Sequence, residues 1–283
     1  MKKLLISLII SSSTLFAVPM AVANTKFSVT EMAKVKLDTL SFKEIMRQFY
    51  SGQMTRGYID DEDISKMPHV ALGQADKDEY TTVALMHPMI EYKNNAYETR
   101  YLIMIEKIKV GNEGGVVTCH ACTGEADLFS FKQLKSGQYQ LVSRSAKDAE
   151  FSGSWGRVGL DLEEIVKNMQ PLGKNLVGSI FTNGYTSTGT TETWWEALHF
   201  PENDFINGYS VADAGADNGG SYDEDSPLYY SYEGHLNVVE NGDEYFPMKV
   251  TYSGEKPSED YERISKVNYS KVLHFDAIKK EYK

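Results

Sequence analysis

The stretch TRYLIMIEKIKV (Thr99 to Val110) decides the fold class, because it has the composition of one long β-strand. Beyond about Ala75 the same strand-like texture recurs along the chain. The further runs are YTTVALM, GVVTC, DLFSF, QYQLVSRS, LVGSIFTNGY, TETWWEALHF, PLYYSYEGHLNVV and YFPMKVTYS. Turn-forming pairs separate several of them: Asn94-Asn95, Ser136-Gly137, Asn183-Gly184 and Asn241-Gly242. We therefore predict an α+β, mostly β protein built of antiparallel meander sheets.

Two segments have helical spacing instead. The first, Thr30 to Tyr50, carries a capping box at Ser41 and Glu44 and predicts one or two short N-terminal helices. Its apolar positions are Met32, Val35, Leu37, Leu40, Ile45, Met46 and Phe49. The second, LDLEEIVKNM (Leu160 to Met169), predicts one mid-chain helix, and the acidic stretch from Tyr58 to Pro68 predicts a loop.

These patterns suggest a division of the chain. Residues 24–74 form a helical and loop segment, and residues 75–283 form a mostly β domain. The β domain is long enough to be two β subdomains divided near residue 170. A mature chain of this length buries a substantial core without disulfides.

The N-terminus has the pattern of a secretory signal peptide. Lys2 and Lys3 precede an apolar run from Leu4 to Val18, and the small residues Ala21-Val22-Ala23 precede Asn24. This run is shorter than the roughly 20 residues that span a bilayer. We expect residues 1–23 to be removed and the protein to be periplasmic or secreted, without membrane insertion.

The chain is acidic, with 29 Lys and Arg residues against 40 Asp and Glu residues. Removal of the signal peptide leaves a net charge of about −13, which repels nucleic acid and anionic lipid. Such a surface suits a cationic partner from the envelope or from a host. An equally good explanation of the acidic surface is that it keeps an exported protein soluble.

The only two cysteines, Cys119 and Cys122, flank His120 in GGVVTCHACTGEADLFSF (Gly114 to Phe131). In an oxidising compartment such a pair forms a disulfide. Closing so small a ring stabilises the folded protein by about 2 kcal/mol. The sequence around the cysteines lacks the thioredoxin-like context of a redox site. A zinc ion bound here would lack a fourth ligand. His87 in MHPM offers soft copper ligands as a further alternative. The expected role of the pair is a local staple.

His120 has two possible roles within this ring. It is either presented to a partner at the tip or turned inward onto a backbone carbonyl, as buried polar groups require. We expect the inward orientation, because so tight a ring leaves little tip to protrude.

Other candidate chemistry is weaker. Asp213, Asp217, Ser221 and Glu224 occupy positions 1, 5, 9 and 12 of a calcium-loop pattern, but position 6 is not glycine. An acidic surface loop explains them equally well.

Glu192 and Glu196 lie about 13 Å apart along a strand, too far for a glycosidase pair, so we expect them to stabilise neighbouring strands. Strand alternation places one of Trp194 and Trp195 in the core and leaves the other able to stack on a sugar. No nucleotide or cofactor fingerprint is present, and no cofactor is expected.

The motifs CHAC, GSWG (Gly153 to Gly156), NGYTSTGTTETWW and DNGG (Asp217 to Gly220) resemble a group of exported bacterial proteins with a C-H-x-C corner and a G-x-W-G turn. A more distant likeness is to periplasmic inhibitors of vertebrate lysozyme. Those inhibitors present a histidine on a longer cysteine-closed loop, a role that would fall to His120 here.

Two functions follow from these observations. The first is a non-enzymatic binding or inhibitory protein of the bacterial envelope. The second is an envelope enzyme or metal-handling protein that uses the Cys119-His120-Cys122 corner or the Asp213 to Glu224 loop, together with His87 and His199.

Overall fold

The strand runs of the sequence pair into antiparallel sheets in a computed structural model that describes residues 26–258, 261 and 263–283. Strands account for 49% of the described residues and helices for 9%, which confirms the predicted α+β, mostly β class. The predicted signal peptide, residues 1–23, lies outside the described residues.

The first sheet has eight strands. They are β1 (Lys36–Leu37), β2 (Met54–Thr55), β3 (His69–Leu72), β4 (Thr81–Met86), β5 (Ile90–Lys93), β6 (Thr99–Val110), β7 (Glu125–Gln133) and β8 (Tyr139–Arg144). Their order is β1-β8-β7-β6-β4-β3-β2, and β5 pairs with the start of β6. Residues 36–72, expected to be helix and loop, thus contribute three short strands to this sheet.

The second sheet has seven strands in chain order. They are β11 (Met169–Gly173), β12 (Leu176–Ser187), β13 (Thr190–Phe200), β14 (Asn207–Asp217), β15 (Ser231–Val238), β16 (Met248–Pro257) and β17 (Ile264–Leu273). Between the sheets lies a two-residue hairpin of β9 (Gly153–Ser154) and β10 (Arg157–Val158), and β18 (Phe275–Asp276) pairs with β19 (Glu281–Tyr282) near the C-terminus.

Within the described residues, three α-helices accompany the sheets: α1 (Val29–Lys34), α2 (Phe42–Phe49) and α3 (Leu162–Lys167), with a 3-10 turn at Ile64–Lys66. The Asp161 side chain caps α3 by accepting hydrogen bonds from two backbone N–H groups. The capping box predicted at Ser41 is wrong in detail. Ser41 does precede α2, but Glu44 accepts instead from the N–H of Thr39 at 2.8 Å.

Strand β6 lies between two apolar cores, which explains its almost uninterrupted apolar sequence. Ile103 and Ile105 face the core covered by α2, and Leu102 and Met104 face the core shared with the second sheet. The shared core also contains Leu128, Leu160, Ile165, Val177, Phe181, Leu198 and Phe200. The two sheets are therefore joined by buried apolar contact, at a junction that we call the seam.

Some strands differ from the sequence prediction. The run GVVTC is not a strand and keeps only an isolated bridge between Val110 and Val116. Strand β14 includes Asp213 and Asp217, which the sequence placed in a loop. Among the described residues, no helix has the length and apolarity that crossing a bilayer requires.

Candidate functional site

The cysteine corner, Cys119 to Cys122, is docked onto the hairpin of β9 and β10. Cys119 and Cys122 form a disulfide. The Cys119 carbonyl accepts from the N–H of Trp155 at 3.1 Å, and the Cys122 carbonyl accepts from the N–H of Gly156 at 2.9 Å. A Cβ atom at Gly156 would collide with the Val117 carbonyl oxygen. The CHAC and GSWG motifs are thus two halves of one structure.

Trp155 lies at the tip of this hairpin. Its φ is 54° and that of Gly156 is 76°, the sign that both central residues of a type I′ turn require. A bulky residue in this region of φ is strained by about 1–3 kcal/mol and persists only where its surroundings hold it. Even so, 54% of the Trp155 side chain is exposed. The fold therefore maintains an unfavourable backbone that presents an indole to solvent.

The long hairpin of β12 and β13 forms the opposite wall. Asn183 lies opposite Trp194, and Tyr185 lies opposite Glu192. The DNGG motif supports the tip of this hairpin, where Gly220 donates its N–H to the Gly189 carbonyl at 3.0 Å. The motifs that carry the family resemblance therefore meet around one place in the fold.

Four aromatic rings form a continuous row across this site, which we call the aromatic strip. Trp155 lies 5.4 Å from His120, His120 lies 6.4 Å from Tyr185, and Tyr185 lies 6.3 Å from Trp194, measured between ring centroids. Trp155, His120 and Tyr185 are exposed, and Trp194 is half-buried. A large part of this aromatic surface is therefore available to a ligand.

A buried carboxylate lies beneath the strip. Glu196 accepts hydrogen bonds from Ser152 Oγ, from Trp194 Nε1 at 2.7 Å and from Asn183 Nδ2 at 2.9 Å. We call Glu196, Ser152 and Asn183 the polar floor. Glu192 accepts from the Tyr185 hydroxyl at 2.6 Å across the strand pair, so both glutamates have the stabilising role that the sequence predicted.

His120, Tyr185 and Trp194 of the strip, with Ser152 and Asn183 of the floor, line a cleft of about 460 Å³ at the seam. Trp155 is not part of this lining and contacts it through the His120 ring. The cleft adjoins a groove of about 680 Å³ that runs toward His87 and the start of α3, and Val158, Gly159 and Asn183 line both. We call the two together the seam cleft. Each of the two volumes is in the range of small-molecule binding sites.

An ion pair fixes one wall of the seam cleft to the first sheet. Glu106 on β6 is buried and accepts from Arg157 Nε at 2.8 Å, from Arg157 Nη2 at 2.7 Å and from the Val158 N–H at 3.0 Å. His87 Nε2 lies 2.8 Å from the same carboxylate. Burial raises the pKa of Glu106, but the hydrogen bonds from His87 and Arg157 outweigh it and hold the pKa at about 2.

The inward orientation expected for His120 is wrong. The Cys119 and Cys122 carbonyls already bind the N–H groups of the Trp155 turn, so the inner side of the ring is occupied by backbone. The His120 side chain is consequently exposed and contacts Trp155 edge to face.

The four candidate calcium ligands are not brought together. Asp213 and Asp217 lie on β14, where Asp213 binds Lys256 Nζ at 2.5 Å and Asp217 accepts from the Tyr229 hydroxyl at 3.2 Å. Ser221 donates to the Thr188 carbonyl, and Glu224 is exposed. Within the described part of the chain, no three His, Cys, Asp or Glu side chains are grouped so as to hold a metal ion.

Of the three histidines of the alternative function, His199 lies apart from the seam cleft. His87 is bound to Glu106, and His120 lies on the aromatic strip. His199 is buried behind the second sheet, where it lies 2.7 Å from the Tyr282 hydroxyl, and burial lowers its pKa to about 3. His87 and His120 line different parts of the seam cleft and have different partners, and His199 does not line it.

Sequence reasoning missed Trp155, Tyr185, Asn183 and Arg157 as members of the site. The GSWG motif held a usable signal, because a tryptophan between turn-forming residues is exposed by the turn itself. Nothing in the sequence linked Arg157 to Glu106, which lies 51 residues earlier.

Comparison with known proteins gives no match: no family model, no curated protein and no solved structure corresponds to this chain. The resemblance to exported proteins with a C-H-x-C corner stays a prediction. The seam cleft is therefore the feature of the molecule that points to a function.

Replacing both cysteines by serine is expected to lower the free energy of unfolding by about 2 kcal/mol, because only a small ring is opened. Urea unfolding of the oxidised wild type and of the Cys119→Ser/Cys122→Ser variant measures this difference. The oxidised wild type should show no free thiol when labelled after denaturation. A double variant as stable as the wild type would contradict the staple role.

Proposed function

We propose that the protein is an exported, non-enzymatic binding protein of the bacterial envelope, with its ligand bound across the aromatic strip of the seam cleft. The observation that carries this proposal is the exposed Trp155 indole on a strained turn that the cysteine corner holds in place. Strained backbone that the surrounding structure maintains is a feature of ligand sites.

The composition of the strip supports binding. Aromatic side chains supply large contact areas with few rotatable bonds, so little conformational entropy is lost when a ligand covers them. The polar floor is already hydrogen-bonded within the protein, so it is pre-organised before a ligand arrives. Both features suit a site that holds its ligand without reacting with it.

Export is supported by two independent features. The N-terminal sequence has the three parts of a signal peptide. The disulfide at Cys119 and Cys122 belongs to an oxidising compartment such as the periplasm or the extracellular space.

The alternative, an envelope enzyme or metal handler, has less support. It would use the cysteine corner or the Asp213 to Glu224 loop, together with histidines that converge on the same site. His87, His120 and His199 instead have three separate sets of neighbours.

Replacing His120 by alanine tests the proposed function. We expect the melting temperature to stay near that of the wild type, because surface substitutions usually change stability by no more than about 0.5 kcal/mol. Retention of an envelope component on the immobilised protein should fall about tenfold, since one ring of the strip is lost. Differential scanning fluorimetry and quantitative capture from envelope extract give the two readouts.

His235→Ala is the matched control for this experiment. His235 is an exposed histidine on β15, with 66% of its side chain accessible, and it does not line the seam cleft. The proposal is wrong if the two variants capture equally, or if His120→Ala loses about 1 kcal/mol of stability while capture is unchanged.

A further inference from the structure

We infer that the ligand of the seam cleft is an uncharged pyranose oligosaccharide whose sugar rings lie along the aromatic strip. This inference rests on the proposed binding function and names the class of ligand. Its first support is the exposed surface of the strip itself, where the Trp155 and Tyr185 side chains are 54% and 43% accessible. Aromatic faces carry negative partial charge. They attract the positively polarised C–H groups on the face of a pyranose.

The second support is that polar groups lie beside the strip. A pyranose presents hydroxyl groups around its edge, and these need donors and acceptors placed next to the stacking surface. Ser154, Asn183 and Arg157 line the same cleft as Tyr185 and Trp194. Arg157 uses Nε and Nη2 for Glu106, so its Nη1 group takes no part in that pair, and 39% of its side chain is exposed. The seam cleft therefore combines aromatic faces with hydroxyl-binding groups.

The third support is charge. The positive charge of Arg157 is paired with Glu106, and Glu192 and Glu196 add negative charge close to the strip. The mature chain as a whole has a net charge of about −13. Phosphorylated glycans and uronic acids would be repelled, which leaves uncharged sugars, including N-acetylated ones.

The fourth support is length. Trp155 and Tyr185 both lie edge to face with His120, at interplanar angles of 85° and 83° and centroid distances of 5.4 and 6.4 Å, so the strip offers separate faces for more than one sugar ring. The groove toward His87 extends the path beyond the strip. Such a track fits a linear oligosaccharide better than a single sugar.

The test is a titration of the full mature chain with oligomers of N-acetylglucosamine and of glucose, and with a polyuronate oligomer as the anionic probe. We expect an uncharged oligomer to change tryptophan fluorescence saturably and the polyuronate to have no effect. Trp155→Ala should weaken binding about tenfold or more by isothermal titration calorimetry, and Tyr185→Leu should weaken it similarly.

The matched control is Tyr97→Ala. Tyr97 is likewise an exposed aromatic residue at positive φ (84% accessible, φ 59°), and it belongs neither to the aromatic strip nor to the lining of the seam cleft. It should bind like the wild type. Melting curves establish whether each variant is folded. If Trp155→Ala is not folded, Tyr185→Leu still tests the inference.

Three results would overturn the inference: no uncharged oligomer binds, the polyuronate binds more tightly, or both strip variants bind like the wild type. Failure of the inference is distinguishable from failure of the proposed function. If no sugar binds but His120→Ala still reduces capture of a basic protein from envelope extract, the ligand is a cationic protein and the binding function stands. If neither sugar binding nor capture depends on the strip, both are wrong.

Discussion

Glu106→Ala is expected to lower the free energy of unfolding by about 3 kcal/mol, toward the lower end of the range for breaking a buried ion pair. The Glu106 side chain is only 1% exposed, and its carboxylate accepts from Arg157, His87 and the Val158 N–H. Alanine removes the shared acceptor and leaves these groups without it. The loss of stability stays near the lower end of this range because the Arg157 side chain is 39% exposed, so water can hydrate its guanidinium group once the carboxylate is removed.

The same substitution should weaken the seam cleft. Arg157 and Val158 form β10, directly after the turn that carries Trp155. Without Glu106 the hairpin loses its link to β6, so ligand affinity should fall even though residue 106 lies behind the aromatic strip. Urea unfolding and ligand titration on one preparation measure both effects. Glu62→Ala, which removes an exposed carboxylate paired with Lys66, is the control and should change stability by less than about 1 kcal/mol. Equal unfolding midpoints for the two variants would contradict the role of Glu106.

The pH dependence follows from the same carboxylate. Its pKa is held at about 2 in the folded protein, below the ordinary value of 4.5. Because the pKa is lowered on folding, the stabilisation is complete above about pH 4.5 and is lost as the pH falls toward about 2. The difference in stability between the wild type and Glu106→Gln should therefore be large at about pH 7 and small at about pH 2. A difference that does not change with pH would show that the charge of Glu106 contributes nothing.

Phe200→Ala should have an effect of similar size or larger, about 3–5 kcal/mol, because it opens a cavity in the core that joins the two sheets. The Phe200 ring on β13 contacts the Tyr92 ring on β5, with centroids 5.3 Å apart. Tyr92 is fixed in turn by a buried hydrogen bond of 2.7 Å between its hydroxyl and Ser130 Oγ. Calorimetry and urea unfolding measure the loss.

This variant also tests whether the chain behaves as two β subdomains. Since the sheets share an apolar core, we expect one cooperative transition that moves as a whole when Phe200 is truncated. Ile278→Ala is the control, because Ile278 is 95% exposed and its loss should change stability by no more than about 0.5 kcal/mol. Two separate transitions, with only one displaced by Phe200→Ala, would favour independent subdomains divided near residue 170.

The strands that the sequence predicted well are those whose pattern follows from burial. In β6, alternate residues serve the two apolar cores, so every position from Leu102 to Ile105 is apolar and the strand is unmistakable. The mid-chain helix α3 was predictable because Leu162 and Ile165 repeat at helical spacing. Local composition was sufficient in both cases.

Strands with a weak local pattern were missed. Strand β14 contains Asp213, Gly215 and Asp217, which favour turns, and β17 is exposed along most of its length. Their strand conformation is imposed by pairing with β13 and β16, whose partner residues lie elsewhere in the chain. Tertiary hydrogen bonding overrides local preference at such positions.

The sequence by itself determined the strand-rich class, the antiparallel meanders, the mid-chain helix and the disulfide between Cys119 and Cys122, because each depends on residues close together along the chain. The tertiary structure alone decided the seam cleft. Its aromatic strip joins residues 120, 155, 185 and 194, and its supporting ion pair joins residues 106 and 157. Only the packing of the two sheets brings these segments together. The outward direction of the His120 side chain was likewise decided by tertiary contact. The N–H groups of the Trp155 turn donate to the Cys119 and Cys122 carbonyls on the inner side of the cysteine corner, so the His120 side chain points outward.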